Sequence, residues 1–180
     1  MRFTTIIAGL IVVTLCSLVQ ATPMQWSGNG HSYEAVYVGV GGISWADAQA
    51  AAVGAGGYLA TITSPEENAF VFSLANANAL LWFIDGSNNG IGPWLGGYQP
   101  VGSSEPYGGW TWDITGEPWT HDNWATGEPN NWHGAEHHAH LFGYRKLKAG
   151  TWNDIPQTAD VRGYIVETPE PASVSLLLLA

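Results

Sequence analysis

The sequence has almost no cysteine and few basic residues. Its single cysteine, Cys16, lies in an apolar run near the amino terminus, and Lys and Arg number 5 against 15 Asp and Glu. A site built on several thiolates, or a mature thiol nucleophile, is therefore not expected. The formal net charge of -10 would repel phosphate backbones, which argues against nucleic acid as a partner and favours a cation.

Charged residues are scarce as well, at 11%, whereas aromatic residues make up 12% and include 10 Trp. A disordered chain has the opposite balance, so we expect one loop-rich domain with an aromatic core that includes Trp110, Trp112 and Trp152. The sequence has no Gly-x-Ser-x-Gly nucleophile motif. We therefore expect a binding protein and not an enzyme.

The amino-terminal residues have the pattern of an export signal. Arg2 supplies a positive charge, residues 6–19 are apolar, and Val19-Gln20-Ala21 resembles a cleavage site. We predict a signal peptide over residues 1–21, with a membrane anchor as the alternative. Cys16 would leave with this peptide, so a bound metal or the Trp-rich core would have to stabilise a mature chain that has no disulfide.

Residues 168–180 carry a second sorting pattern. The tetrapeptide Thr-Pro-Glu-Pro at 168–171 precedes an almost wholly apolar stretch and resembles the PEP-CTERM sorting signal of Gram-negative bacteria. The resemblance is partial, because a bilayer span needs about 20 residues and no terminal Arg cluster follows. A linker with an apolar tail is the alternative. The resemblance implies an exported protein at the cell surface or in the extracellular matrix of a Gram-negative bacterium. Exosortase-type machinery would process it if the C-terminal signal is complete in the native protein.

Between these segments, residues 24–167 are predicted to form one α+β domain. Ser44 is placed to cap an Ala-rich helix that ends at the glycines of 54–57, and Ser64-Pro65-Glu66-Glu67 is a strong start for a second helix. A loop is predicted over 85–92, and a long irregular segment over 117–131 indicates a functional loop. Strands are predicted at 33–40, 58–62, 94–97, 109–112, 138–144, 150–152 and 163–167.

Five oxygen-bearing side chains in the last third of the chain form a candidate cation site. Their three carboxylates and two amides belong to Glu128, Asn130, Glu136, Asn153 and Asp154. Calcium takes about six to eight oxygen ligands and needs neither sulfur nor histidine. The donor chemistry therefore predicts Ca²⁺ as the cofactor.

Nearly all of residues 31–167 resemble a C-type lectin-like domain. The stretches that carry the resemblance lie at 44–45, 56–62, 64–68, 94–97, 109–112, 123–124, 127–131, 152–154 and 163–167, and they include Trp-Leu-Gly-Gly, Glu-Pro-Asn and Trp-Asn-Asp. The resemblance implies two helices packed on antiparallel sheets, with a long calcium- and ligand-binding loop. It also implies that the five oxygen donors bind one Ca²⁺, with a cis peptide bond before Pro129 and a backbone carbonyl contributed by Asp154.

A calcium ion held in this way leaves two places for vicinal sugar hydroxyls. Each hydroxyl would donate to Glu128 or Glu136 and accept from Asn130 or Asn153. In the family, Glu-Pro-Asn goes with mannose, glucose, GlcNAc or fucose, although some galactose-type relatives place an aromatic residue where Trp132 stands. The resemblance therefore implies a carbohydrate-binding module of mannose type, with glycans or exopolysaccharide as partners. Oligomers are possible, because one such site is weak and avidity requires several copies.

The sequence departs from the family at its cysteine positions. Ala52, His138, Gln157 and about Val166 stand there, so both family disulfides are absent. Asn131 stands where relatives with an auxiliary calcium site often carry Asp, and a second ion is not expected.

Two alternative functions follow from the sequence. The first is a lectin-like fold used for protein or matrix interaction without sugar binding. The second is a zinc-dependent hydrolase built on His133, His137, His138 and His140 beside Glu136. This histidine group does not have the His-Glu-x-x-His order of a metalloprotease.

Overall fold

The computed structural model describes residues 22–159 and 161–170. The signal peptide predicted over 1–21 and the sorting segment beyond residue 170 lie outside the described residues. Within the described part of the chain, no helix has the length and apolar character needed to cross a bilayer.

The two predicted helices form where the sequence places their caps. Helix α1 spans Trp45–Gly54, and helix α2 spans Pro65–Ala77. The hydroxyls of Ser44 and Ser64 each accept a hydrogen bond at 3.1 Å from a backbone N–H of the following turn. These bonds satisfy donors that a helix start leaves unpaired, so the predicted helix starts are confirmed. Short 3₁₀ turns lie at Ala79–Leu81 and Trp132–Gly134.

The strands of the described residues make up one sheet. They are β1 (Met24–Gln25), β2 (Ser32–Tyr37), β3 (Tyr58–Leu59), β4 (Phe83–Ile84), β5 (Gly90–Tyr98), β6 (Thr111–Trp112), β7 (His138–Gly143), β8 (Thr151–Ile155) and β9 (Gly163–Thr168). The order is β1-β2-β9-β5-β7-β8, while β3 pairs with β9, and β4 and β6 pair with β5. The α+β prediction is confirmed, with one parallel pairing, between β5 and β9, in an otherwise antiparallel sheet.

The predicted loop over 85–92 is wrong at its end, because β5 begins at Gly90. A Cβ on Gly90 would lie 2.1 Å from the carbonyl oxygen of Leu147, and one on Gly92 would lie 2.7 Å from the ring of Trp82. These glycines therefore permit close packing inside a strand and do not mark a loop.

Tryptophan side chains dominate the core beneath the sheet. Trp112 and Trp152 are almost fully buried, and Trp110 is 7% exposed, which confirms the predicted core role of all three. Trp119 stacks on Trp112 with ring centroids 4.3 Å apart, and Trp124 packs on Trp152 at 5.8 Å. Since the described residues contain no cysteine, these aromatic contacts anchor the long segment 117–131 to the core.

The end of this segment runs beside β8, and this pairing positions the candidate site. The backbone N–H of Ala125 donates to Trp152 at 2.8 Å, and the N–H of Trp152 donates to Asn123 at 2.9 Å. Strand β8 is longer than the predicted 150–152, so Asn153 and Asp154 lie within it. The pairing therefore brings the loop that follows Ala125 next to these two residues.

Candidate functional site

A pocket of about 320 Å³ lies between the loop after Ala125, the ends of β7 and β8, and the turn between β4 and β5. Five of the six side chains predicted from the sequence line it: Glu128, Asn130, Trp132, Glu136 and Asn153. The remaining lining residues are Asp85, Ser87, Asn89, Ile91, Phe142, Tyr144 and Ile155. The fold thus collects residues from Asp85 to Ile155, up to 70 positions apart, into one concave site.

The sixth predicted residue, Asp154, is fully buried behind the loop and does not line the pocket. Its Oδ1 accepts a hydrogen bond from the backbone N–H of Asn130 at 3.0 Å, and its Oδ2 accepts from that of Asn131 at 2.8 Å. Neighbouring residues of a strand point to opposite faces. Asn153 therefore faces the pocket, while the Asp154 carboxylate holds the loop backbone.

Residues 131–136 form a turn that closes on itself. The side-chain oxygen of Asn131 accepts from the backbone N–H of Glu136 at 3.1 Å, and Glu136 Oε2 accepts from the N–H of Trp132 at 2.8 Å. Asn131 has a positive φ of 48°, a conformation that Asn tolerates well. The turn fixes the Glu136 carboxylate in the pocket and leaves the Trp132 side chain 63% exposed.

Glu128 is held by a residue that the sequence did not single out. Its Oε1 accepts from the hydroxyl of Tyr144 at 3.0 Å, and its Oε2 accepts from the amide of Asn130. The peptide bond between Glu128 and Pro129 is cis, as the resemblance implied. Tyr144 follows β7, and its sequence context gives no signal for this contact, which depends on how the loop packs against the sheet.

Asn153 supplies the clearest unsatisfied group in the pocket. Its side chain is 8% exposed, and its Nδ2 lies 3.3 Å from the Nε2 of His140. Its Oδ1 is buried and has no hydrogen-bond partner among the described residues. A buried polar oxygen without a partner is destabilising, and a cation would satisfy it.

The three carboxyl groups at the site lie near enough to repel one another and have no cationic partner among the described residues. Burial raises the pKa of Glu136 to about 7, and the charges of Asp154 and Glu128 contribute to that rise. Burial also raises the pKa of Glu128 and that of Asp154. Neither ion pair found in residues 22–159 and 161–170 involves these three groups. The charge and the free Asn153 oxygen both fit a bound Ca²⁺.

Amide oxygens are essential to such a site. In the part of the chain that the structure describes, no group of three or more His, Cys, Asp or Glu lies close enough together to hold a metal ion. A calcium ion would therefore depend on the oxygens of Asn130 and Asn153 together with the carboxylates of Glu128 and Glu136. The carboxylate of Asp154, which lies behind the loop, would contribute negative charge.

The four histidines of the zinc alternative lie in different surroundings. His133 is exposed on the loop, His137 pairs with a carboxylate of another loop at 3.2 Å, and His138 packs on Trp45. Burial lowers the pKa of His138 to about 4 and that of His140 to about 3, so both are neutral near pH 7. They do not form a metal-binding group among the described residues.

Three comparisons with known proteins bear on this geometry. A family model described as "Lectin C-type domain" matches residues 42–165. A perlucin-like protein of Mytilus galloprovincialis is 29% identical over 124 residues, which cover 69% of this chain and 69% of that protein.

Solved structures resemble the chain over most of its length. One is the cow C-type carbohydrate-recognition domain of CD23, solved in the presence of GlcNAc2Man3 oligosaccharide. Its TM-score is 0.57 at 23% sequence identity, and the match covers 78% of this chain and 89% of the CD23 chain. Herring type II antifreeze protein has a TM-score of 0.59 at 24% identity, with coverages of 79% and 94%. These likenesses confirm the predicted C-type lectin fold.

Proposed function

Because the chain belongs to the C-type lectin domain family, a family of binding proteins and not of enzymes, we propose that it binds carbohydrate in a calcium-dependent manner. The pocket lined by Glu128, Asn130, Glu136 and Asn153 carries this proposal. The pocket combines carboxylates that have no ion-pair partner with the Asn153 Oδ1, which has no hydrogen-bond partner among the described residues. The exposed ring of Trp132 lies at its edge.

Bound Ca²⁺ would supply coordination places for two neighbouring sugar hydroxyls. The residues around it would then complete the hydrogen bonds of each hydroxyl. Glu128 and Glu136 would each accept a hydrogen bond from a hydroxyl, while the side-chain amides of Asn130 and Asn153 would each donate one to it. The Asn130 amide donates a hydrogen bond to the Glu128 carboxylate. A sugar hydroxyl would lie between these two groups, where it would accept from Asn130 and donate to Glu128.

The expected ligand is a mannose-type glycan, which includes mannose, glucose, GlcNAc and fucose. The order Glu128-Pro129-Asn130 supports this preference, since the resemblance associates Glu-Pro-Asn with such sugars. Trp132 is 63% exposed and offers a flat apolar face to a sugar ring. A galactose-type sugar that stacks on this ring is the competing ligand.

Glycan-array binding of the purified full chain, with Ca²⁺ and with a chelator, tests this function. We expect mannose-type glycans to bind with Ca²⁺ and binding to be lost with the chelator. Glycan binding that the chelator leaves unchanged would contradict the proposal. The array also separates mannose-type from galactose-type preference.

A second candidate function is protein or matrix interaction without sugar binding. The likeness to herring type II antifreeze protein, which is not named as a lectin, favours it. Protein hydrogen bonds from Asn130 and Asn131 to the Asp154 carboxylate also hold the loop backbone. A chain that binds Ca²⁺ but no glycan on the array would support this function over the first.

We place this activity outside the cell, at the surface or in the matrix of a Gram-negative bacterium. The export pattern over 1–21 and the Pro-Glu-Pro pattern within 168–180 support the location. Exosortase-type processing is the expected route. Mass spectrometry of the protein recovered from the cell and medium fractions of its native host would locate both cleavage sites. Protein found only inside the cell, with residues 1–21 retained, would argue against export.

A further inference from the structure

The turn between β4 and β5 forms the wall of the pocket that faces the candidate calcium ligands. Asp85, Ser87 and Asn89 of this turn line the same pocket as Glu128 and Asn153. The sequence predicts a turn here from its Gly and Asn content, but it gives no indication that the turn meets the loop after Ala125. None of the residues of this second wall belongs to the proposed calcium ligands.

Hydrogen bonds fix the turn in one shape. Asp85 Oδ1 accepts from the backbone N–H groups of Ser87 at 2.9 Å and Asn89 at 2.7 Å, and its Oδ2 accepts from the Asn89 side-chain amide at 3.3 Å. The backbone N–H of Lys146 donates to the carbonyl of Asn88 at 2.7 Å. This last bond ties the turn to the segment between β7 and β8. A wall arranged in advance loses little entropy when a ligand binds.

The pocket has room beyond the ion and the two hydroxyls it would hold. Its volume of about 320 Å³ lies within the range of about 300–1,000 Å³ of pockets that bind small organic ligands. Ile91, Phe142 and Ile155 add apolar lining between the two polar walls. Mixed apolar and polar lining is typical of pockets that bind organic ligands and suits the C–H face and hydroxyl edge of a sugar ring.

The second wall is rich in hydrogen-bond acceptors. The Asp85 carboxylate, the side-chain oxygen of Asn89 and the hydroxyl of Ser87 all accept from a ligand hydroxyl. The Tyr144 hydroxyl lies 3.0 Å from Glu128 Oε1 and 2.9 Å from the carbonyl of Thr126, so its proton is engaged and its lone pairs are free to accept. Among the described residues that line the pocket, none is Lys, Arg or His.

From this chemistry we propose that the Asp85–Asn89 turn is a second subsite, which holds the next sugar unit of a neutral oligosaccharide and disfavours anionic glycans. The inference rests on the proposed function, since the first unit would be the one bound at the calcium site. Hydroxyl groups donate to the acceptors of this wall. The carboxylate or sulfate of an anionic sugar unit in this subsite would face the negative charge of Asp85, and no Lys, Arg or His of the pocket lining would offset the repulsion.

Calorimetric titration of the full chain at a fixed Ca²⁺ concentration tests the subsite. Methyl α-mannoside, mannobiose and mannotriose serve as probes. We expect mannobiose to bind about tenfold more tightly than methyl α-mannoside and Asn89→Ala to reduce that ratio to about two. Asn76→Ala, an exposed asparagine on α2 outside the pocket, is the matched control and should keep the full ratio.

A charge-changing variant tests selectivity without disturbing the turn. Ser87 is exposed, and its backbone N–H, not its side chain, holds the turn, so Ser87→Lys should retain the fold. A mannose disaccharide whose second unit is a uronic acid should bind the natural chain more weakly than mannobiose. It should gain about tenfold in affinity in Ser87→Lys. Ser27→Lys, on an exposed residue outside the pocket, should give no gain.

The outcomes separate this inference from the function on which it rests. If methyl α-mannoside fails to bind in Ca²⁺, the proposed mannose-type function fails, and the subsite falls with it. If methyl α-mannoside binds but mannobiose binds no better, or the uronic acid disaccharide binds as well as mannobiose, only the subsite is overturned. A ratio that falls equally in Asn89→Ala and Asn76→Ala would also overturn it.

Discussion

Glu136 has two roles: its carboxylate closes the turn of the loop, and it supplies negative charge to the pocket. One of its carboxylate oxygens accepts from the backbone N–H of Trp132, and its side chain is 9% exposed. Glu136→Gln keeps the shape and the accepting oxygen but removes the negative charge that Ca²⁺ requires. We expect the variant to fold and to bind Ca²⁺ at least about tenfold more weakly by calorimetry.

Glu66→Gln is the matched control for this change, because Glu66 is exposed on α2 and does not line the pocket. It should bind Ca²⁺ as the natural chain does. Equal calcium affinity in the natural chain and both variants would remove Glu136 from the ligand set.

Asn130 tests the role of amide donors in sugar selection. Its Nδ2 donates to Glu128 Oε2, and in Asn130→Asp two carboxylates would face each other at that point. The variant retains an oxygen for Ca²⁺ but loses the donor to a sugar hydroxyl. We predict at least about tenfold weaker binding of methyl α-mannoside in saturating Ca²⁺. Unaltered sugar affinity would count against the assigned geometry, and the exposed Asn76→Asp serves as control.

Trp132 and Trp152 allow the contribution of tryptophan to sugar binding to be tested separately from its contribution to stability. Trp132 is 63% exposed, whereas Trp152 is fully buried and its ring nitrogen donates to Asn68 at 2.8 Å. Trp132→Ala should change the free energy of unfolding by less than about 0.5 kcal/mol and weaken sugar binding. Trp152→Ala should lower that free energy by about 3–5 kcal/mol. Chemical denaturation and calorimetry on both variants check the contrast, and a Trp132→Ala variant with full sugar affinity would exclude stacking.

Asp154 holds the backbone of the loop between Ala125 and β7. Both carboxylate oxygens accept from backbone N–H groups, those of Asn130 and Asn131. In calcium-free protein we therefore expect these two amides to exchange slowly with solvent and Asp154→Ala to abolish their protection. Asp122→Ala, at an exposed residue earlier in the same segment, is the control. Fast exchange of both amides in the natural chain would show that the loop orders only with calcium.

The elements differ in how far the sequence alone predicts them. The helix starts were predictable, because the caps at Ser44 and Ser64 depend on residues three positions away. The start of β5 was not predictable, because the need for Gly90 and Gly92 comes from close contacts with Leu147 and Trp82. Leu147 lies between β7 and β8, and Trp82 follows the 3₁₀ turn Ala79–Leu81.

The sequence likewise predicts some features of the candidate site and not others. The oxygen donors were predictable from residue type and from the family resemblance. The anchoring role of Asp154 was not, since it depends on the alternation of side chains along β8 and on where the loop packs. The contacts of Tyr144 and the Asp85–Asn89 turn with the pocket also arise only from the packing of distant segments.

The whole domain lacks the covalent support that the family resemblance would lead one to expect. The described residues contain no cysteine, so aromatic packing and hydrogen bonds hold the long loop. The pocket concentrates carboxylates in a chain of net charge -10. A bound cation would relieve their repulsion and stabilise only the native state, because the ligands come together only when the chain is folded.

Thermal melting of the full chain as Ca²⁺ is titrated tests most directly whether Glu128, Asn130, Glu136, Asn153 and Asp154 form one calcium site. A ligand at 100 times its Kd stabilises the native state by about 2.7 kcal/mol, and a domain of this size gains about 2–4 °C in Tm per kcal/mol. We predict a Tm increase of about 5–10 °C that saturates with Ca²⁺ and is much smaller in Glu136→Gln. A Tm that does not change with Ca²⁺, or that rises equally in Glu136→Gln, would contradict the calcium site.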